Sequence, residues 1–141
     1  MAIAIATIVI TIVVFSFSKL NSSQALERTG DLIASVLDEA RSLTLSGSED
    51  SQYGVHFEDD QIVLFKGTSY SSGSEDNVVT DLNDFVEIGD IELSGGGDDI
   101  IFKRLTGYTD EAGTIEVFVT ATPENNLTIT ISETGLSDID S

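Results

Sequence analysis

The chain has 141 residues, no cysteine, one histidine and one proline, which suits one modest domain and excludes disulfide frameworks and Cys–His chemistry. Six bases stand against 25 acids, a formal net charge of −19 that repels nucleic-acid phosphates and anionic lipid headgroups. The imbalance is uneven: residues 1–45 hold three bases and four acids, whereas the rest holds only Lys66, Lys103 and Arg104 against 21 acids.

From Met1 to Phe17 there is no charge, no Gly and no Pro. Ala2, Ile3, Ile5, Ile8, Val9, Ile10, Ile12, Val13, Val14, Phe15 and Phe17 predict a helix that is apolar on all sides, equally at home in lipid or against neighbouring helices. Thr7 and Thr11, four apart, can bond back to their own helix or across to a neighbour. Seventeen residues rise about 25 Å, somewhat short of a bilayer core of roughly 30 Å. The stretch lacks the basic start and small-residue cleavage site of a secretory signal peptide.

Beyond Lys19 the helix is expected to continue with one apolar stripe of Leu26, Ile33, Val36, Leu37, Ala40 and Leu43, the face that packs on the head. The reading is one helix over residues 1–46, with 1–17 as membrane or filament-core half and 18–46 as amphipathic half. Gly30 is its weak point, and Ser46-Gly47-Ser48 its stop.

Residues 47–141 predict an acidic β-rich head. Tyr53, Val55 and Phe57 alternate with Gly54 and His56, and after the polar turn at 58–60 the run from Ile62 to Phe65 completes a hairpin. Further strands are expected at 78–82, 85–93, 100–105, 114–122 and 126–132, separated by Gly, Ser, Asp and Asn clusters. Residues 69–76 predict a mobile low-complexity loop. Phe57, Phe65, Phe85, Phe102 and Phe118 are expected to meet the helical stripe in one core.

Catalysis finds little support. His56, the single histidine, points away from Val55 and Phe57 and is expected to face solvent, with a pH sensor or ligand as the other reading. No Gly-x-Ser-x-Gly elbow accompanies the serines, and no enzyme activity, cofactor site or catalytic residue is expected. Asp81, Asn83 and Asp84, and the run from Ser94 to Asp99, offer oxygen ligands suited to Ca²⁺, without the spacing of an EF-hand; ordinary turn chemistry is favoured for both. Lys103 and Arg104 are the head's one adjacent pair of bases, too few for a nucleic-acid surface. The sequons at Asn21 and Asn126 are three-residue matches with no further support.

The long helix, its passage through Ala40-Arg41-Ser42-Leu43 into Tyr53-Gly54-Val55-His56-Phe57, the hairpin closing at Phe65-Lys66-Gly67 and the β-rich head together resemble the type IV pilin superfamily. Within it the likeness is to minor pilins and pseudopilins of the GspH/FimT type. The resemblance implies a pilin-like α+β fold, a long N-terminal α-helix packed on an antiparallel β-sheet head. It further implies an inner-membrane anchor with the head outside the cytoplasm, and assembly with other pilin or pseudopilin subunits into a pilus or type II secretion filament. Pilin helices begin after a Gly cleavage site with an aromatic residue and a Glu five residues in; Met1-Ala2-Ile3-Ala4 instead looks like helix interior, so about nine further residues and a leader are expected upstream. Calcium sites in such heads belong mainly to major subunits, so no ligand carries over. A membrane-anchored extracytoplasmic domain that binds a cation or a basic partner through its acidic head remains the alternative.

Overall fold

The computed structural model describes the backbone of residues 2–140 and the side chains of residues 23–47 and 49–140. A single helix, α1, runs Ala2–Leu45, about 66 Å at 1.5 Å per residue. It passes through Gly30 without interruption. A Cβ there would sit 3.0 Å from Leu127 Cδ2, so glycine lets the helix approach the sheet closely. Among the described residues no helix is long and apolar enough to cross a membrane. The residues read as the membrane or filament-core half, 1–17, together with Thr7, Thr11 and Asn21, have side chains outside the described set.

Eight strands follow: β1 (Tyr53–Phe57), β2 (Gln61–Lys66), β3 (Val78–Asp81), β4 (Val86–Leu93), β5 (Asp99–Ile101), β6 (Gly113–Val119), β7 (Asn126–Ile131) and β8 (Ser137–Asp140). They form two four-stranded sheets ordered β3-β2-β1-β5 and β4-β6-β7-β8, with every pairing antiparallel. Helix α1 lies against both, and one core joins all three layers. The fold is pilin-like α+β. Leu26, Ile33, Val36, Leu37 and Ala40 are buried there and Leu43 is partly buried against it. Val55, Phe57, Ile100, Phe102, Ile115, Val117 and Ile129 supply the facing side.

Two buried threonines interrupt the apolar stripe without leaving polar groups stranded. Thr29 Oγ1 donates to the Ala25 carbonyl and Thr44 Oγ1 to that of Ala40, each at 2.8 Å. Thr44 Oγ1 also accepts the Tyr53 N–H at 3.0 Å, tying the last helical turn to the first residue of β1.

Several phenylalanines depart from the expected core. Phe85 is 53% exposed just before β4, and Phe118 is half-buried on the opposite face of its strand from Val117 and Val119. Phe65 is buried, but on the outer face of its sheet, where Tyr70 meets it edge-on with ring centroids 5.9 Å apart. The segment read as a mobile loop thereby covers sheet surface. The expected strand at 100–105 shrinks to β5 and a single bridge between Phe102 and Thr109, because residues 103–107 turn sharply, with Gly107 N–H donating to the Lys103 carbonyl at 2.9 Å.

Candidate functional site

The head's charge can be followed group by group. Helix α1 ends in a left-handed turn, Gly47 at φ 68°, Glu49 at 53° and Asp50 at 54°. Both acids of that turn are held by bases: Lys66 Nζ donates to Glu49 Oε2 at 2.6 Å, and Arg104 Nη2 to Asp50 Oδ1 at 3.4 Å. The first hydrogen bond, with the opposite charge behind it, holds the Glu49 carboxyl below its ordinary range and pushes the Lys66 ammonium above its own. Lys103 pairs with Asp110 at 2.8 Å and is raised by that hydrogen bond. Lys66, Lys103 and Arg104 are thus each engaged with a carboxylate. The adjacent pair Lys103-Arg104 serves two loops of the head itself.

Against this, an open cleft of about 800 Å³ lies between the two sheets, lined by Glu58, Asp59, Asp60, Glu87, Asp90 and Asp98. His56 stands at its wall. Its Nδ1 lies 2.5 Å from Asp99 Oδ1 on β5, its Nε2 3.6 Å from Glu58 Oε1, and its ring stacks on Tyr70 with centroids 3.9 Å apart and planes 5° from parallel. The histidine expected to face solvent is therefore largely covered, because the loop carrying Tyr70 folds over the outer face of β1 and β2. Among the described residues Asp99 is its hydrogen-bond partner and no serine joins them, so the dyad lacks a nucleophile.

The two loops weighed for calcium each contain a turn hydrogen bond. Asn83 Oδ1 accepts the Phe85 N–H at 2.9 Å, an Asx turn that leads into β4. Gly95 and Gly96 take φ of 95° and 76°, and Gly96 N–H donates to the Leu93 carbonyl at 3.0 Å. Among the described residues no group of three or more His, Asp or Glu side chains is arranged to hold a metal ion. Asn126 is exposed at the start of β7, bonded through Nδ2 to the carbonyls of Pro123 and Glu124.

Sequence reading missed the cover that Tyr70 lays over the imidazole, since one tyrosine in a serine-rich segment carries no periodic signal. It also missed Glu111. Partial burial lifts the Glu111 carboxyl above its ordinary range, although Thr109 Oγ1 donates to it at 3.3 Å.

The architecture defines a class: one long helix whose second half forms a layer of the core, followed by a head of two antiparallel sheets. That is the fold of the minor pilins and pseudopilins. The type IV minor pilin FimU of Pseudomonas aeruginosa superposes with a TM-score of 0.61 over 82% of this chain and 93% of its own, at 13% identity. Two structures of the minor pseudopilin EpsH from the type II secretion system of Vibrio cholerae give 0.62 and 0.57, over 84% and 81% of this chain and 95% and 94% of theirs, at 13% and 12% identity. No protein-family model matches the chain, and no curated protein is significantly similar to it in sequence.

Proposed function

We propose that this chain is a structural subunit of a pilus or a type II secretion filament, a minor pilin or pseudopilin. Residues 1–17 anchor it in the inner membrane before assembly and pack against the helices of other pilin or pseudopilin subunits afterwards. The observation that carries the reading is the helix itself: α1 is unbroken from Ala2 to Leu45, while its described positions in the core begin at Ala25 and recur along one stripe. A head needs only the second half. A first half apolar on every side suits either lipid or a bundle of like helices, and their similar polarity permits transfer between them. The likeness to FimU and EpsH supports the same reading, because each of those proteins is a minor pilin or pseudopilin.

The test is to express the gene with its upstream reading frame in its native host, shear surface filaments, and locate the chain and its mature N-terminus by mass spectrometry. A processed chain in the filament fraction, lost from it when residues 2–17 are deleted, is the expected result. An unprocessed chain confined to membranes would replace it with the second reading, an anchored binding domain for a cation or basic partner. The acidic cleft between the sheets favours that second reading.

A further inference from the structure

The strand β3 forms one border of its sheet and pairs with β2 alone, in an unbroken register from Gln61↔Asp81 to Leu64↔Val78. In an antiparallel edge every second residue turns its N–H and C=O outward. Folded proteins protect such edges with short strands, charged side chains, proline, a bulge or a covering segment. β3 is short, four residues, and carries one charge, Asp81, at its end, but the segment from Asn77 to Leu82 has no lysine, no proline and no register shift. Instead it displays two consecutive valines, Val78 at 56% and Val79 at 53% exposure. Being adjacent, they stand on opposite faces of the strand, so a strand laid alongside would meet an apolar partner on each face.

Both ends of this edge are fixed. Leu82 N–H donates to the Asp60 carbonyl at 2.9 Å, and at the other end Asn77 Nδ2 donates to the Ser71 carbonyl at 2.6 Å in the loop that Tyr70 anchors. A fixed edge loses little conformational freedom on pairing. Charge then selects the partner. No Lys or Arg lies between Lys66 and Lys103, and nine acids do, with Glu75, Asp76, Asp81 and Asp84 nearest the strand in sequence. A second copy of this segment would bring like charges together.

We propose that the outer edge of β3 receives an extended segment of another protein, with two adjacent valine-like side chains, one for each face, flanked by lysine or arginine. Main-chain pairing supplies the attachment and the surrounding carboxylates choose a basic strand over a neutral or acidic one. The inference goes beyond filament assembly and does not depend on it.

The experiment uses the full chain in detergent micelles and three fluorescent octapeptides read by anisotropy: a basic one with two adjacent central valines flanked by lysines, an acidic one with glutamates in place of the lysines, and the basic peptide with its two central valines replaced by proline. The basic peptide with adjacent valines is expected to bind, and the proline peptide of equal charge about tenfold or more weaker, since it cannot extend the sheet. The acidic peptide is expected to show no binding. The variant V78E/V79E separates pairing from attraction: added negative charge alone would tighten the basic peptide, whereas loss of the apolar edge is expected to weaken it about tenfold. Equal binding of the basic and proline peptides, tighter binding by the variant, or no binding of the basic peptide with adjacent valines would each overturn the proposal.

Discussion

Gly54 sits in β1 between two partners, opposite Phe65 on β2 and Ile101 on β5. A Cβ on it would lie 2.6 Å from the Ile100 carbonyl oxygen and 2.6 Å from Phe65 Cζ. A side chain could swing away, but the backbone oxygen belongs to a paired strand and cannot. Gly54→Ala is therefore expected to cost about 3 kcal/mol, measured by urea unfolding, and trimming Phe65 in the same chain should not restore it. A loss below about 1 kcal/mol would show that β5 yields more easily than the pairing implies. Glu111 makes a case of opposite sign. Its carboxyl is raised in the folded state, chiefly by desolvation, so the folded chain holds that proton more tightly than the unfolded one. Stability from this group is present at acid pH and declines as pH rises from the ordinary carboxylate value to the raised one. Glu111→Gln removes the ionisation and is expected to stabilise the protein at pH 7 by a few tenths of a kcal/mol, after solvent screening, and not at about pH 3. Equal effects at both values would refute the burial account.

The elements that could be read from the sequence are those whose side chains repeat with a period. The stripe of Leu26, Ile33, Val36, Leu37 and Ala40 marks the buried face of α1, and the alternation of Val55 with Phe57 marks the core face of β1. β8 escaped because Ser137–Asp140 offers one apolar residue, Ile139, to signal a strand that β7 completes by pairing. His56 was misjudged for a related reason. Alternation correctly turns it away from the core, yet Tyr70 arrives from a loop with no pattern and covers it. The junction of α1 with β1 is likewise invisible to periodicity, since Thr44 is polar on an apolar stripe. Its hydroxyl bonds twice, to the Ala40 carbonyl and from the Tyr53 N–H, and so couples helix to sheet. Thr44→Val keeps the shape and removes both bonds. It is expected to destabilise by about 1–2 kcal/mol and to speed amide exchange in β1 more than in β7. Uniform exchange across both sheets would mean that the bond does not link these elements.

At the scale of the whole molecule, two electrostatic effects oppose each other. Residues 46–141 carry three bases against 21 acids, so the compact head confines a net charge of −18. That self-repulsion disfavours the folded state, and salt relieves it. The same salt weakens the pairs Lys66–Glu49, Lys103–Asp110 and Arg104–Asp50, which tie the head's turns to β2 and to one another. Magnitudes decide between them. Exposed pairs contribute about 0–1 kcal/mol each, and there are three of them against 18 carboxylates left without a compensating base. The screening length falls from about 30 Å at 0.01 M salt to about 3 Å at 1 M, from the size of the head to a single contact. Repulsion summed over the head is the larger effect. Raising NaCl from about 0.01 M to 1 M is therefore expected to raise the thermal midpoint by several degrees, with most of the gain complete by about 0.15 M, where the length is already about 8 Å. A midpoint that falls with salt would mean the three tethers outweigh the field. In that case Lys66→Met, which breaks one tether and adds to the net negative charge, should abolish part of the fall. If repulsion dominates, the same substitution should steepen the rise.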